Sequence, residues 1–234
     1  MKVSVAMATY NGEKFIKFQI DSILCQLGTQ DELIISDDGS SDATLEIVKE
    51  YQKDERIQVF ANPRKGVVSN FENALINCNN DIIFLSDQDD VWFPNKVQAV
   101  KNCLENSKKL LVLHNGLNFY SSTEYCGNTL IKKMRHGVVL NIMRSCYWGC
   151  CMAFKRDLLR FVLPFPPQVP AHDQWIGLVA EKIKGTVFVE QPLLLHRRHE
   201  FNVSRPLPIC KKIQFRCDMT KAFLSSMRKF NSLP

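Results

Sequence analysis

The sequence predicts an α/β protein with a mostly parallel sheet flanked by helices, and the pattern of apolar residues carries that prediction. Short apolar runs typical of strands alternate with segments of about 10 to 15 residues whose apolar positions repeat at helical spacing. This alternation indicates right-handed βαβ units, whose strands are parallel. A length of 234 residues with 45% hydrophobic residues is sufficient for one large domain with a substantial core.

The first 106 residues contain four pairs of a strand and a helix. We predict the strands at 2–9, 32–37, 56–62 and 81–87. The helix after the first strand carries Ile16, Ile20 and Ile23 on one face. Turn and capping residues open the second helix, and Pro94 fits the first turn of the fourth helix, where no N–H is needed.

The order loosens after residue 106. We predict strands at 108–120, 186–190 and 193–199, and a strand that turns into a helix at 149–159. Residues 121–147 are polar and irregular, and a proline-rich loop leads into a helix from about 173 to 184. No segment has the composition of a linker, so we expect a single domain with a less regular second half.

The composition excludes several classes of protein. No apolar run approaches the roughly 20 residues that span a bilayer. The start, MKVSVAMATYNG, lacks the long apolar core of a signal peptide, so we expect a cytoplasmic protein. The nine cysteines include no C-x-x-C pair and are expected to be reduced thiols. The cluster CYWGCC leads into an apolar strand pattern, which favours burial over metal binding.

The segment from Arg205 to the end carries the whole excess of positive charge. It contains seven basic residues and one acid, and the net charge of the chain is +6. Its apolar residues recur every three or four positions, at Phe215, Met219, Phe223, Met227 and Phe230. This spacing predicts a basic amphipathic helix. Such a helix either packs on the domain or contacts an anionic membrane surface.

Acidic residues follow two of the predicted strands. Asp38 follows the second strand, and Asp87, Asp89 and Asp90 follow the fourth. Ligands of open α/β sheets bind at the carboxyl ends of the strands, so we expect these acids at one binding edge. Asp87 and Asp89 point to the same side of an extended chain, where two carboxylates repel unless a cation lies between them. Oxygen ligands of this kind hold Mg²⁺ or Mn²⁺ together with substrate phosphates, which predicts a nucleoside-diphosphate site. The alternative is that the acids only cap the helix near Pro94.

Seven ordered segments carry a resemblance to a known family. They are VSVAMATYNGEKFIKFQIDSILCQ, ELIISDDGSSDAT, NPRKGVVSNFENAL, DIIFLSDQDDVWFPNKV, GCCMAFKRDLL, HDQW and LLLHRRHEFNVS. From Val3 to about Ser204 the chain resembles family 2 glycosyltransferases of GT-A fold, and SDQDDVW and NFENAL are most similar to the bacterial rhamnosyltransferase-like branch. The resemblance implies a Rossmann-like GT-A domain at 1–204, with a nucleotide-binding half at 1–106 and an acceptor and catalytic half at 107–204. The basic amphipathic tail would then occupy 205–234.

The resemblance also implies donor-binding roles for five residues. Ala8, Tyr10 and Asp38 match positions that hold the base and ribose of the sugar nucleotide. Arg64 or Lys65 lies where a basic residue reaches the base or the diphosphate. Structural alternatives remain open, because Tyr10 could close a turn, Asp38 could cap a loop and Arg64 could be a solvated charge.

A second set of residues is implied in metal binding and catalysis. Asp87 and Asp89 match the D-x-D motif, with Asp89 as the metal ligand and Asp87 nearer the ribose or sugar. His199 matches a histidine that completes the metal or diphosphate site, and Asp173 matches the catalytic base. The alternatives are a strand-end histidine without a metal and an N-cap for the helix. Many members have Glu where this chain has His172, which places a second titratable group beside the base.

The function implied by the resemblance is transfer of one sugar, with inversion, from a dTDP- or UDP-sugar to a glycan or lipid-linked acceptor in O-antigen or capsule synthesis. The implied cofactor is Mn²⁺ or Mg²⁺, and no nucleic acid partner is expected. The expected location is the cytoplasm, with peripheral contact of the tail with the anionic inner membrane face. Two alternatives are a non-catalytic nucleotide-sugar binding module and a receiver-like domain that accepts a phosphoryl group on paired acids.

Overall fold

The computed structural model describes residues 1–120, 125–183, 185–200, 202 and 208–227. Its strands are β1 Val3–Thr9, β2 Glu32–Asp37, β3 Ile57–Ala61, β4 Ile82–Ser86, β5 Val91–Trp92, β6 Leu111–Phe119, β7 Tyr125–Thr129, β8 Met152–Lys155 and β9 Thr186–Arg197. Its helices are α1 Ile16–Leu24, α2 Thr44–Tyr51, α3 Val67–Ile76, α4 Lys96–Glu105, α5 Val138–Met143, α6 Leu159–Val162, α7 His172–Ile183 and α8 Ile209–Ser225. Over these residues the strands form one sheet in the order β3-β2-β1-β4-β8-β6-β9-β5, with β7 paired to β6.

The first four strands of that order confirm the predicted βαβ half. β3, β2, β1 and β4 are parallel neighbours. A helix follows each of the first three directly, and the two-residue strand β5 comes between β4 and α4. β1, β2 and β4 are almost entirely buried, because helices cover the sheet. The register pairs Thr9 with Asp37 and Met7 with Ser86, so the loops after these three strands open at one edge.

The second half gives the sheet a mixed character. β8 lies antiparallel between β4 and β6, while β6 and β9 are parallel and β5 is antiparallel to β9. The two strands predicted at 186–190 and 193–199 are one strand, β9, because register shifts opposite β6 accommodate Pro192 without ending the pairing. The segment 121–147, predicted to be irregular, contains β7 and α5.

The C-terminal helix α8 packs on α5 and α7 through its second half. Met219, Ala222 and Phe223 are buried there, whereas Ile209 and Ile213 in the first half are exposed. Arg205, Arg228, Lys229 and Phe230 of the predicted tail lie outside the described residues. Packing therefore accounts for the inner face of the helix, and membrane contact remains a prediction. Among the described residues, no helix has both the length and the apolar character needed to cross a bilayer.

Candidate active site

The loop after β2 is held by the buried carboxylate of Asp37. Thr9 Oγ1 and Ser40 Oγ donate hydrogen bonds to its Oδ2, at 2.9 and 2.6 Å. The backbone N–H groups of Gly39 and Ser40 donate to its Oδ1, at 2.9 and 2.8 Å. Gly39 has a φ of 82°, a conformation that favours glycine. Asp37 is thus a structural residue, and it fixes the loop that presents the next residue, Asp38.

Asp38 lies half-buried at the edge of the sheet, as the sequence predicts. Its carboxylate accepts hydrogen bonds from Asn62 Nδ2 at 2.8 Å and from the Gly66 backbone N–H at 3.0 Å. Lys65 Nζ donates to the backbone carbonyl of Asp38. The structure therefore brings Asp38 and Lys65 together, two of the residues that the sequence assigns to donor binding.

Arg64 points to a different partner. Its guanidinium forms an ion pair with Glu72 of α3, whose side chain is buried although that of Arg64 is 62% exposed. Glu72 also accepts a hydrogen bond from the backbone N–H of Phe165, at 2.6 Å. Of the two basic candidates, Lys65 is therefore the one beside Asp38. The sequence pattern places Glu72 on a helix but gives no sign of this pairing.

The loop after β1 is joined to the D-x-D loop by the side chain of Gln88. Gln88 Oε1 accepts the Tyr10 N–H at 2.9 Å, and Gln88 Nε2 donates to the Tyr10 carbonyl at 2.8 Å. A Cβ atom at Gly12 would lie 2.3 Å from Gln88 Oε1, so only glycine leaves space for this amide. Ala8 is buried at the end of β1, while the Tyr10 side chain is exposed. Gln88 thus connects the loop that carries Tyr10, just after the strand that carries Ala8, to the acidic loop.

Three carboxylates crowd the loop after β4. Asp87 and Asp89 are half-buried and Asp90 is fully buried. Burial, followed by the charges of Asp90 and Asp89, raises the pKa of Asp87 well above its usual range, and Asp173 adds to this effect. Burial and the Asp90 charge also raise the pKa of Asp89, partly offset by its hydrogen bond to His199. This edge therefore concentrates negative charge, which a bound cation would stabilise.

Asp89 and His199, two of the residues assigned to the metal site, are in direct contact. His199 Nε2 lies 2.8 Å from Asp89 Oδ2, and Asn202 Nδ2 donates to the same oxygen at 3.3 Å. Asn202 Oδ1 accepts the His199 backbone N–H at 2.7 Å, and the His199 ring stacks on Phe15 with centroids 4.8 Å apart. Arg197 Nε donates to the Asp89 carbonyl at 2.9 Å. Asn202 and Arg197 were not identified from the sequence, although both lie within three residues of His199.

These residues fit a divalent cation. A carboxylate oxygen and an imidazole nitrogen converge on one partly exposed point, beside a second carboxylate, Asp87, whose pKa is raised by burial and then by the charges of Asp90 and Asp89. Oxygen donors suit Mg²⁺ and Mn²⁺, and imidazole is a common transition-metal ligand. Asp89 and His199 would hold the ion, and Asp87 lies two residues away on the same loop.

A second group of metal-type donors lies deeper in the protein. The group consists of one donor atom each from Asp90, Cys150 and His196, and these three atoms lie within 4.8 Å of one another. Within the described residues, Asp90 Oδ2 and His196 Nε2 have no hydrogen-bond partner. His196 Nδ1 is 2.9 Å from Asp90 Oδ1. Burial alone would lower the pKa of His196, but the hydrogen bond to Asp90 and the interaction with the Cys150 thiol raise it to about 11. The buried ammonium of Lys96 donates to the Cys150 carbonyl at 2.9 Å. Protein cations therefore already balance Asp90, and we interpret this group as a structural ion pair.

Asp173, the predicted catalytic base, is the second residue of α7. Its Oδ1 accepts the backbone N–H of Gln174 at 2.7 Å, which fixes the carboxylate at the start of the helix. A Cβ at Gly149 would lie 3.0 Å from His172 Nε2 and 3.5 Å from Asp173 Cβ, so this glycine packs closely against the start of α7. The charge of Asp173 is the smallest of the named contributions that raise the pKa of Asp87.

His172, the other titratable group beside the predicted base, is part of the core. Its ring stacks on Phe71 with centroids 3.8 Å apart, and burial lowers its pKa. His172 is therefore a neutral packing residue. Trp175 is buried in the same helix, and its indole N–H donates to the Val162 carbonyl at 3.0 Å.

Comparison with known proteins identifies relatives of this chain. The family model described as Glycosyl transferase family 2 matches residues 4–163. The chain is 28% identical over 212 residues to dTDP-rhamnosyl transferase RfbG of Shigella flexneri, covering 84% of this chain and 72% of that protein. It is 30% identical over 174 residues to the Escherichia coli UDP-Glc:alpha-D-GlcNAc-diphosphoundecaprenol beta-1,3-glucosyltransferase WfgD, covering 70% of this chain and 64% of that protein.

Solved structures share the fold at low sequence identity. Residues 1–349 of S. aureus TarS, in complex with UDP-GlcNAc, superpose with a TM-score of 0.71 at 17% identity, covering 96% of this chain and 73% of that one. The mannosyltransferase PcManGT from Pyrobaculum calidifontis, in complex with GDP-Man and Mn²⁺, gives a TM-score of 0.64 at 18% identity, covering 97% of this chain and 64% of that one. These similarities confirm the predicted GT-A fold. Together with the family match over most of its length, they show that the chain belongs to glycosyltransferase family 2.

Proposed function

We propose that this chain transfers one sugar, with inversion, from a nucleoside-diphosphate sugar to a hydroxyl of a glycan or lipid-linked acceptor in surface-polysaccharide synthesis. The observation that carries the proposal is the contact of 2.8 Å between Asp89 and His199 at the edge that also holds Asp38, Lys65 and Asp87. A site with this much negative charge needs a cation, and a cation there would attract a diphosphate.

The donor site is proposed to lie across the loops after β1, β2 and β4. Ala8, Tyr10 and Asp38 would hold the base and ribose, and the ammonium of Lys65 would lie near the base or the diphosphate. Asp87 would contact the ribose or sugar. The exposed Tyr10 ring can pack against a base, because its backbone is held on both sides by Gln88.

Asp89 and His199 would bind Mn²⁺ or Mg²⁺, whose chemistry is to offset the charge that grows on the departing nucleoside diphosphate. Asp173 would accept the proton of the acceptor hydroxyl during attack on the anomeric carbon. The Gln174 N–H holds one Asp173 oxygen, which fixes the orientation of the carboxylate and leaves its other oxygen for the acceptor. His172 cannot share this role, because its ring is buried against Phe71.

The names of the relatives support the class of donor and acceptor. RfbG is named for dTDP-rhamnosyl transfer, and WfgD for transfer of glucose from UDP-Glc to a diphosphoundecaprenol-linked sugar. The chain spans 64% of WfgD, so the activity of the whole protein is part of the proposal. We also propose a cytoplasmic location, with a catalytic domain at 1–204 and a tail at 205–234 that contacts the inner membrane face. The exposed Ile209 and Ile213 and the basic residues of α8 support that contact.

The test is a turnover assay with a panel of UDP- and dTDP-sugars, Mn²⁺ and undecaprenyl-diphosphate-linked sugars as acceptors. We expect one donor to be consumed only when the acceptor and the metal are both present. Asp173→Asn should lower the transfer rate by about 10²- to 10⁴-fold, because it removes the general base. Asp157→Asn, at a surface acid that is 69% exposed, is the matched control and should keep the wild-type rate. Full activity of Asp173→Asn would contradict the assignment of the base.

A further inference from the structure

Helix α5 exposes three large apolar side chains on one side. Val139, Leu140 and Met143 are 73%, 60% and 53% exposed, whereas Asn141 of the same helix is buried. Residues three and four positions apart on a helix are neighbours, so Met143 lies beside both Val139 and Leu140. Single exposed apolar residues are common on protein surfaces, but a contiguous apolar group marks an interaction site. We call these three residues the α5 face.

The exposure of the α5 face does not come from a loosely held helix. Asn141 Nδ2 donates hydrogen bonds to the carbonyls of Arg135 and Gly137, at 2.8 and 3.1 Å, and Asn141 Oδ1 accepts the Cys146 N–H at 3.2 Å. The Gly137 N–H donates to Glu181 Oε1 of α7 at 2.7 Å. These contacts fix which side of α5 is buried, and they direct the α5 face toward solvent.

The charge around the α5 face is positive. Residues 131–150 contain four basic residues and no Asp or Glu, and three of the basic residues are exposed, at Lys132, Lys133 and Arg144. Glu181, an acid that α7 brings to this region, has a side chain only 9% exposed and already accepts a backbone hydrogen bond. The helix α8, which packs on α5, carries four basic residues and one acid.

An apolar face surrounded by cations fits the surface of an anionic membrane. Lipid phosphates attract the basic side chains, and the apolar side chains enter the boundary between headgroups and acyl chains, at a depth of about 5 to 10 Å. The charge and the apolar character of this surface are therefore both matched by one partner, an anionic phospholipid bilayer.

α5 is also hydrogen-bonded to the segment that carries the predicted base. Gln174 Nε2 donates to the Asn141 carbonyl at 2.7 Å, and Gln174 directly follows Asp173 at the start of α7. A membrane bound to the α5 face would therefore keep the start of α7 close to the lipid surface, where a lipid-linked acceptor is held. This position favours lipid over an acidic protein as the partner of the face.

We propose that the α5 face inserts into the headgroup region of an anionic phospholipid membrane, with the exposed cations of residues 131–150 bound to lipid phosphates. The proposal adds a second membrane contact to that of the tail. Its connection with acceptor capture rests on the proposed function, because that connection requires a lipid-linked acceptor. Binding of the face to lipid is measured separately from nucleotide binding.

Cosedimentation of the full chain with phosphatidylcholine vesicles, with and without phosphatidylglycerol, measures the interaction. We expect binding that requires phosphatidylglycerol and weakens with salt. Val139→Gln/Leu140→Gln should weaken this binding about tenfold or more, because two apolar side chains no longer enter the lipid. Ile76→Gln, at an apolar residue of α3 that is also 60% exposed, is the matched control and should bind the vesicles as the wild type does.

A pair of charge variants tests the cations. Each basic residue near a charged membrane surface contributes about fivefold in binding, so Lys132→Glu/Lys133→Glu should weaken vesicle binding about 25-fold or more. Lys49→Glu/Lys53→Glu, at two exposed positions on α2 and just after it, changes the net charge by the same amount and should weaken binding much less.

Fluorescence separates insertion from attachment at the lipid surface. Leu140→Trp places an indole on the α5 face, and brominated phosphatidylcholine in the vesicles quenches a tryptophan that enters the bilayer. The native Trp92 and Trp175 are buried in the protein. We expect stronger quenching in Leu140→Trp than in the wild type and in Ile76→Trp, and equal quenching in all three would overturn the insertion.

Three binding results would also overturn the proposal. The first is vesicle binding of Val139→Gln/Leu140→Gln and Lys132→Glu/Lys133→Glu at wild-type strength, which would leave any membrane contact to the tail alone. The second is a wild type that does not bind the vesicles. The third is a wild-type dimer that does not bind lipid and that Val139→Gln/Leu140→Gln dissociates, because the α5 face would then belong to a second copy of the chain.

Nucleotide-dependent thermal shifts, measured on the same proteins, check the fold of each variant. The α5 variants should keep the shift of the wild type, because α5 lies outside the donor loops after β1, β2 and β4. If Val139→Gln/Leu140→Gln loses the shift through misfolding, Met143→Gln, at a side chain that is 53% exposed, replaces it. A wild type that binds the vesicles but shows no nucleotide shift would contradict the proposed function and leave the membrane contact of α5 standing.

Discussion

The amide of Gln88 should control donor affinity indirectly, by holding the backbone of the loop that presents Tyr10. It forms two hydrogen bonds, of 2.9 and 2.8 Å, to the backbone of Tyr10. A hydrogen bond contributes about 0.5 to 1.5 kcal/mol net, so the pair contributes about 1 to 3 kcal/mol to holding this loop. Gln88 is half-buried, which favours the lower part of that range, about 1 to 2 kcal/mol.

Gln88→Ala should therefore raise the Kd for the nucleoside diphosphate about 5- to 30-fold, because binding must then order the loop. Titration calorimetry with Mn²⁺ and whichever of UDP or dTDP binds the wild type measures this. Gln88→Glu keeps an acceptor for the Tyr10 N–H but places a carboxylate oxygen against the Tyr10 carbonyl, so it should not restore affinity. Gln98→Ala is the matched control, since Gln98 is exposed on α4 and its amide donates to Asn102 Oδ1, on the same helix, at 2.6 Å.

The reasoning is refuted if Gln88→Ala binds the nucleotide within about twofold of the wild type while its fold is intact. That result would mean that the loop after β1 keeps its conformation through its other contacts. These contacts are the hydrogen bonds of Asn11 to Ser40 and Ser41, at 2.9 Å each, and of Gly12 to Thr44, at 2.7 Å.

Three further predictions concern the core and the tail. Lys96→Met should lower the free energy of unfolding, measured by urea denaturation, by about 1 to 3 kcal/mol, because the buried Cys150 carbonyl loses the hydrogen bond from Lys96 Nζ. Lys53→Met, at an exposed position, is the control and should change the free energy of unfolding little. His172→Phe keeps the stack on Phe71 and should retain more than about a third of the transfer rate, and a loss comparable to that of Asp173→Asn would show that His172 is the base. Lys211→Glu/Lys212→Glu, at two exposed positions in the first half of α8, should weaken binding to vesicles containing anionic lipid, since each basic residue near such a surface contributes about 1 kcal/mol. Nucleotide binding should be kept, because the buried second half of the helix is unchanged. Unchanged vesicle binding would favour packing as the sole role of the tail.

The fold could be predicted because the signals that specify it are local. The alternation of apolar runs and helical segments locates β1 to β4 and their helices, and the acids after β2 and β4 mark the binding edge. The rest of the sheet was harder to predict from local patterns. β5 has only two residues, and its pairing depends on β9, about a hundred positions away in the sequence. β9 itself crosses Pro192, which reads as a strand end in the sequence, and only the register shift against β6 shows that pairing continues.

The candidate site residues could be proposed from the sequence, but the contacts that hold them could not. Asp87, Asp89, His199 and Asp173 follow from motif and resemblance, yet no periodicity indicates that Gln88 reaches back to Tyr10. The buried Lys96 illustrates the same limit, because a lysine in an amphipathic helix is normally expected on the surface. Contacts between side chains distant in sequence depend on the order and register of the strands in the sheet, and no single segment of the sequence contains that information.

The joint dependence of thermal stability on nucleotide and metal tests the central claim, that Asp89 and His199 bind a cation that in turn binds a nucleoside diphosphate. Tm would be measured for the wild type, Asp89→Ala and the surface control Asp157→Ala, with UDP, dTDP or GDP, each with and without Mn²⁺. A ligand at about 100 times its Kd stabilises by about 2.7 kcal/mol, which raises the Tm of a chain of this size by about 5 to 11 °C. We expect that shift with at least one nucleotide, only with Mn²⁺ present, in the wild type and in Asp157→Ala but not in Asp89→Ala. A shift that persists in Asp89→Ala, or no shift with any nucleotide in the wild type, would contradict the claim.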